Sequence, residues 1–140
     1  MTEYTSEIKI IPYNREKVYG MLSNLEHLEK LKEQFPGGKI NDMTFEKDSF
    51  SFVTDQVGKV KFAIIEREPS QTIQMQAEQS PLDVRLWIQL AESSENETAM
   101  KLIVKADLNP LLKPMLSNPL QKGVDKIAQI LSAIPYNDLE

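Results

Sequence analysis

The sequence predicts an α+β domain in which a run of antiparallel strands closes on a long C-terminal helix. Between residues 109 and 134, apolar residues recur at Leu112, Met115, Leu116, Leu120, Val124, Ile127, Leu131 and Ile134. That three-and-four spacing marks one helical face, with Lys122, Asp125, Lys126, Gln129 and Ser132 opposite it. From residue 40 to 108, apolar and polar residues instead alternate with period two, in six runs separated by short turn signals. Strands in sequence followed by a helix make an α+β order, and the short connections make a meander.

The first strand is expected over 3–11, with Ser6, Ile8 and Ile10 on one face and Thr5, Glu7 and Lys9 on the other. Pro12 ends it. Asn14 caps a following helix with Glu16 in its first turn, and Val18, Met21, Leu22 and Leu25 form its buried stripe. Ser23-Asn24-Leu25-Glu26 has the spacing of a capping box, so a second helix restarts there with Leu25, Leu28, Leu31 and Phe35 buried. Pro36-Gly37-Gly38 terminates it. Strands at 40–46 and 49–54 form a hairpin around Lys47-Asp48, and 58–67 follows. Breaks at Pro69-Ser70 and Ser80-Pro81 then separate strands at 72–78 and 82–90, and 98–108 is the last. With the first strand these make seven. In the final helix, Asn118-Pro119 predicts a kink, or a split into a lead-in and a main helix.

A chain of 140 residues fits one domain, here 1–138, with Leu139-Glu140 read as a vector-derived tail. The formal net charge of −5, without a basic run, disfavours nucleic acid and anionic membrane as partners. There is no cysteine, the start MTEYTSEIKIIPY lacks the features of a signal peptide, and no apolar run approaches transmembrane length. A cytoplasmic location is the expectation.

The element order, together with IPYNREKVYGMLSNLEHLEKL after the first strand and Asn109-Pro110-Leu111-Leu112 before the last helix, resembles the START-like (SRPBCC, birch-pollen-allergen-like) superfamily. The polyketide cyclase-like and coenzyme-Q-binding branches look nearest. The resemblance covers nearly the whole chain. It implies a helix-grip fold, a curved seven-stranded sheet around the last helix with an apolar cavity between them, and a hydrophobic ligand such as a lipid, polyketide or aromatic molecule. Where the allergen-type branch has a glycine-rich loop, this chain has Glu46-Lys47-Asp48-Ser49. Where the chaperone-activator-like branch often has an aromatic-rich segment, it has Phe35-Pro36-Gly37-Gly38. The resemblance carries no catalytic residue over and implies no cofactor.

On the faces expected to point inward lie Met43, Phe45, Phe50, Phe52, Phe62, Ile64, Met75, Leu86, Ile88, Met100 and Leu102. The helix adds Leu116, Leu120, Gly123, Val124 and Ile127. These residues either fill a core or line a pocket, and methionines suit both. Gly123 lies inside the apolar arc, where glycine costs about 1 kcal/mol against alanine. It either allows close approach to a strand residue such as Phe62 or Met100, or leaves the floor of a cavity. Glu66 shares the parity of Val60, Phe62 and Ile64, so regular alternation aims it inward as a weak candidate acid or base. His27 falls off the leucine stripe and is read as a solvated surface residue; with no cysteine, no metal site is expected. Trp87 has outward parity. It marks a homodimer surface on the outer sheet face, or is covered locally by the stem of Arg85 or Lys101. The leading expectation is a non-catalytic module binding a hydrophobic small molecule. The alternatives are a cyclase- or dehydratase-like enzyme and a protein-interaction domain using the outer sheet face.

Overall fold

Among the described residues eight strand segments form one antiparallel sheet, and the last helix lies against one end of its inner face. The computed structural model describes residues 2–34, 40–54, 58–78, 83–107, 110–111, 113–134 and 136, with the side chains of 30–34, 40–43, 54, 58 and 119 set aside. In chain order the elements are β1 (Thr2–Thr5), β2 (Lys9–Ile11), α1 (Arg15–Leu22), a 3-10 helix (Leu25–Gln34), β3 (Ile40–Phe45) and β4 (Ser49–Thr54). They continue with β5 (Gly58–Glu68), β6 (Thr72–Glu78), β7 (Val84–Ser94), β8 (Glu97–Ala106) and α2 (Lys113–Ser132). The strands run β1-β8-β7-β6-β5-β4-β3, with β2 also on β8. This is the expected α+β plan of a sheet and a long final helix. The seven expected strands become eight because the first is broken.

The break corrects the first strand. Thr5 lies opposite Ile103 and Lys9 opposite Met100, so the N-terminal segment spends one more residue than β8 over the same span. Ser6 holds the irregularity: its N–H donates to the Leu102 carbonyl and its Oγ accepts from the Leu102 N–H, both at 2.9 Å. One extra residue reverses the parity of everything after it. Tyr4 and Ser6 are therefore buried before the bulge and Ile11 after it, while Ile8 and Ile10 turn outward, 64% and 48% exposed.

Asn14 caps α1 as expected, its Oδ1 accepting the Lys17 N–H at 2.9 Å, and Val18, Met21 and Leu22 are buried. Asn14→Ala should cost about 1 kcal/mol, a fall in melting temperature of roughly 3 °C for a domain of this size. An unchanged thermal melt would mean that water replaces the cap. The second helix differs from the expected capping box. Ser23 is the C-cap of α1, its N–H bonded to the Tyr19 carbonyl, so Asn24 starts the next turn instead, with its Oδ1 accepting from the Glu26 N–H at 3.1 Å. The helix is of the tighter 3-10 type, with Leu25 and Leu28 buried. The side chain of Leu31, and Phe35-Pro36-Gly37-Gly38, lie outside the described residues.

Helix α2 packs on β8, β1 and β2. Its C-terminal half supplies Val124, Ala128, Ile130 and Leu131 to the core, continued by Ile134. Three polar residues spaced by four tie it to the edge segment. Ser117 Oγ lies 2.7 Å from the Tyr4 hydroxyl, Gln121 donates to the Thr5 carbonyl at 3.0 Å, and Asp125 accepts from the Glu7 N–H at 3.3 Å. These contacts use polar groups along an edge that strand pairing leaves open. They also bracket Pro119, and the helix runs unbroken through it rather than splitting. The proline removes one backbone bond, and anchors on both sides keep the two halves aligned.

Candidate functional site

The inner faces of β3, β4 and β5 bring four phenylalanines together. Phe45 lies opposite Phe50, and Phe50 opposite Phe62, so the register itself builds the row. Ring centroids are 6.0 Å apart for Phe45–Phe50, 5.3 Å for Phe50–Phe62, 6.0 Å for Phe50–Phe52 and 6.4 Å for Phe52–Phe62. The interplanar angles of 15–29° make this a stacked shelf rather than an edge-to-face cluster. Phe45 is buried, but Phe50, Phe52, Phe62 and Ile64 remain half-exposed.

A second set of half-exposed residues lies along the middle of α2. Leu116, Leu120, Gly123 and Ile127 are half-exposed as well. The helix rests on β1, β2 and β8, whereas the phenylalanine shelf is at the far end of the same sheet face. Phe50, Phe62, Ile64, Leu120 and Ile127 pack on the buried core while keeping part of their apolar surface exposed. At Gly123 an added Cβ would meet no heavy atom within 4 Å, so no strand side chain is pressed against the helix there. The inward-facing set thus divides in two: Met75, Leu86, Ile88, Met100, Leu102 and Val124 are buried core, and Phe50, Phe52, Phe62, Ile64, Leu116, Leu120, Gly123 and Ile127 are half-exposed. The side chain of Met43 lies outside the described residues.

Glu66 does not share the inner face with these residues. Ile64 lies opposite Met75 but Glu66 lies opposite Gln74, leaving Ile65 as an extra residue in β5. Alternation reverses at that bulge, and Glu66 emerges exposed on the outer face. Arg67 takes the position opposite Ile73, and its guanidinium donates to the Ser23 carbonyl at 2.8 Å and to the Asp48 carboxylate. That contact ties the β3–β4 turn and the end of β5 to the start of the 3-10 helix.

His27 is not a free surface residue. Helix ends leave carbonyls without a partner, and the half-buried His27 donates from Nδ1 to the Met21 carbonyl at the end of α1, at 3.1 Å. Among the described residues no group of three or more His, Cys, Asp or Glu side chains is placed to hold a metal. No helix among them is long and apolar enough to cross a membrane.

Tyr136 is the residue that sequence reasoning missed. Fully buried beyond the last helix, it donates its hydroxyl to the Leu131 carbonyl at 2.7 Å and sets its ring edge-to-face on Tyr13, 5.6 Å away. Thr98 Oγ1 donates to the Tyr13 carbonyl at 2.7 Å, so this corner joins β8, the β2–α1 turn and the chain after α2. Burial raises the phenol pKa well above its usual value. An aromatic residue just past Ile134 was the available signal.

On the outer face, Trp87 lies opposite Ile103, as its parity required. The cation over its ring is Lys105, 5.2 Å from the centroid, rather than Arg85 or Lys101. The diagonal cross-strand position brings it there. The outward turn of Ile8 also walls a groove of about 330 Å³, where Ala91 and Ala99 leave room beside Gln89 and Lys101.

No protein-family model matches the chain, and no curated protein does. Solved structures match it at low identity. A START superfamily protein from Mycobacterium smegmatis superposes with a TM-score of 0.65 at 12% identity, over 99% of each chain. TTHA0849 from Thermus thermophilus gives 0.66 at 16%, over 94% of each. Norcoclaurine synthase from Thalictrum flavum, in complex with dopamine and hydroxybenzaldehyde, gives 0.67 at 10%, over 94% of this chain and 85% of that one. The fold is the START-like helix-grip fold.

Proposed function

We propose that this START-like domain binds a small hydrophobic molecule of lipid, polyketide or aromatic type in the cleft between β3–β5 and α2. One observation carries the reading: the stacked phenylalanines and the apolar residues Leu116, Leu120 and Ile127 of the helix stay half-exposed, with open space at Gly123. Apolar surface in water is worth about 25 cal/mol per Å² when covered, so an apolar guest gains free energy by filling the gap. The near-parallel rings favour a flat guest that can extend the stack. That norcoclaurine synthase, on the same fold, holds dopamine and hydroxybenzaldehyde lends support to an aromatic class. Binding rather than turnover is the preferred role, because the Glu66 carboxylate lies on the opposite side of the sheet from the guest.

Native mass spectrometry of freshly purified protein should find bound apolar mass. Stripped protein should enhance the fluorescence of anilinonaphthalene sulfonate, and the copurified extract should displace the dye. Protein that carries no such mass and leaves the dye dark would overturn the reading.

A further inference from the structure

We infer that the outward side of α2 and the turn preceding it form a docking surface for an anionic lipid membrane. Leu111 and Met115 are 85% and 70% exposed, large apolar side chains placed in water at the start of the helix. Met115, Lys122 and Lys126 fall within an arc of about 40° at 100° per residue, and both lysines are exposed, as is Lys113. The one carboxylate of α2, Asp125, lies about 60° round the helix from Lys122, on the flank toward the N-terminal edge segment, where it accepts from the Glu7 N–H and from Gln121.

A chain of net charge −5 thus presents one side with two lysines beside an exposed apolar tip and no acidic side chain of the helix within that arc, while Lys113 stands at the helix start between Leu111 and Met115 in sequence. Lysines at that height attract anionic headgroups while the apolar tip enters the interface. Charge elsewhere on the molecule is screened beyond about 8 Å at physiological salt, so the local sign decides. Met115, expected on the apolar stripe opposite the lysines, lies instead on the lysine side, 70% exposed, because seven and eleven residues bring Lys122 and Lys126 back to its azimuth. Membrane docking goes beyond the binding function proposed above, and its test does not depend on what fills the cleft.

The test is vesicle flotation at low ionic strength, with phosphatidylcholine alone and with phosphatidylcholine mixed with phosphatidylserine. The protein should float with the mixed vesicles only, and less so as salt rises. Each lysine near the surface contributes about fivefold in affinity, so Lys122→Glu/Lys126→Glu should bind at least tenfold more weakly. Leu111→Glu/Met115→Glu should lose binding altogether. Lys47→Glu/Lys59→Glu makes the same change in net charge at exposed positions on the β3–β4 turn and β5, and should keep binding. Circular dichroism confirms that each variant is folded. Absence of binding to the mixed vesicles, equal binding to both kinds, or equal loss in the control variant would overturn the proposal. So would capture of an acidic polypeptide by this side without any response to vesicles, which would assign it to a protein partner.

Discussion

Tyr136→Ala is expected to be the most damaging single truncation in the molecule, at about 3–5 kcal/mol by analogy with other buried aromatic residues. Its ring is fully enclosed and packs on Tyr13, and its hydroxyl satisfies the Leu131 carbonyl near the end of α2. Tyr136→Phe keeps the ring and removes only that bond, so it should cost about 1–3 kcal/mol through the carbonyl left without a partner. Urea unfolding would rank the three proteins. Equal midpoints for Tyr136→Ala and the unmodified protein would mean that this corner does not hold the helix. The same side chain gives a pH dependence with a definite sign. Burial raises its folded pKa above the ordinary 10.0, so above pH 10 the folded state holds a proton that the unfolded state releases. This contribution is intact below pH 10 and declines above it, by up to about 1.4 kcal/mol per pH unit. Tyr136→Phe should lack that part of the alkaline slope, and parallel slopes for the two proteins between pH 10 and 11 would refute the assignment.

Much of the architecture was legible because it follows from periodicity. The alternation of β6, β7 and β8 places Ile73, Met75, Leu86, Ile88, Leu90, Met100 and Leu102 in the core, and the three-and-four spacing of α2 does the same for Val124 and Leu131. What period two cannot reveal is an inserted residue. One extra residue between Ser6 and Lys9 turned Ile8 and Ile10 outward, and Ile65 did the same to Glu66. Neither bulge carries a glycine or proline to announce it. The roles of His27 and Tyr136 were hidden for another reason: each satisfies a carbonyl near the end of a helix, and such a partner is fixed only once the helix end is placed. The residues proposed to contact a guest were legible as inward-facing. That Phe50, Phe62, Leu120 and Ile127 stay half-exposed while Met100 and Leu102 are enclosed depends on where the helix rests, which the side-chain pattern does not encode. The polar contacts from Ser117, Gln121 and Asp125 hold it over β1, away from the phenylalanines.

Gly123→Leu should fold with unchanged or slightly higher stability and lose binding of an apolar guest by tenfold or more. Replacing an exposed helical glycine removes a propensity cost of about 1 kcal/mol. The new Cβ meets no heavy atom within 4 Å, so the branched side chain extends into the cleft without displacing the backbone. There it would stand between Leu120 and Ile127 in the helix, on the stretch assigned to the proposed guest. A leucine that fits a preformed gap gains buried area, whereas one forced into a filled core costs about 1–3 kcal/mol. Stability and binding must therefore move in different directions if the gap is where the guest sits. The measurement is a urea unfolding curve beside a dye titration on the same preparation, with Gly20→Leu as the comparison, since Gly20 also has open space around its Cβ but lies on α1. Dye affinity retained in Gly123→Leu would remove the guest from this part of the cleft, and a midpoint lowered by overpacking would show that the space at Gly123 is already filled in solution.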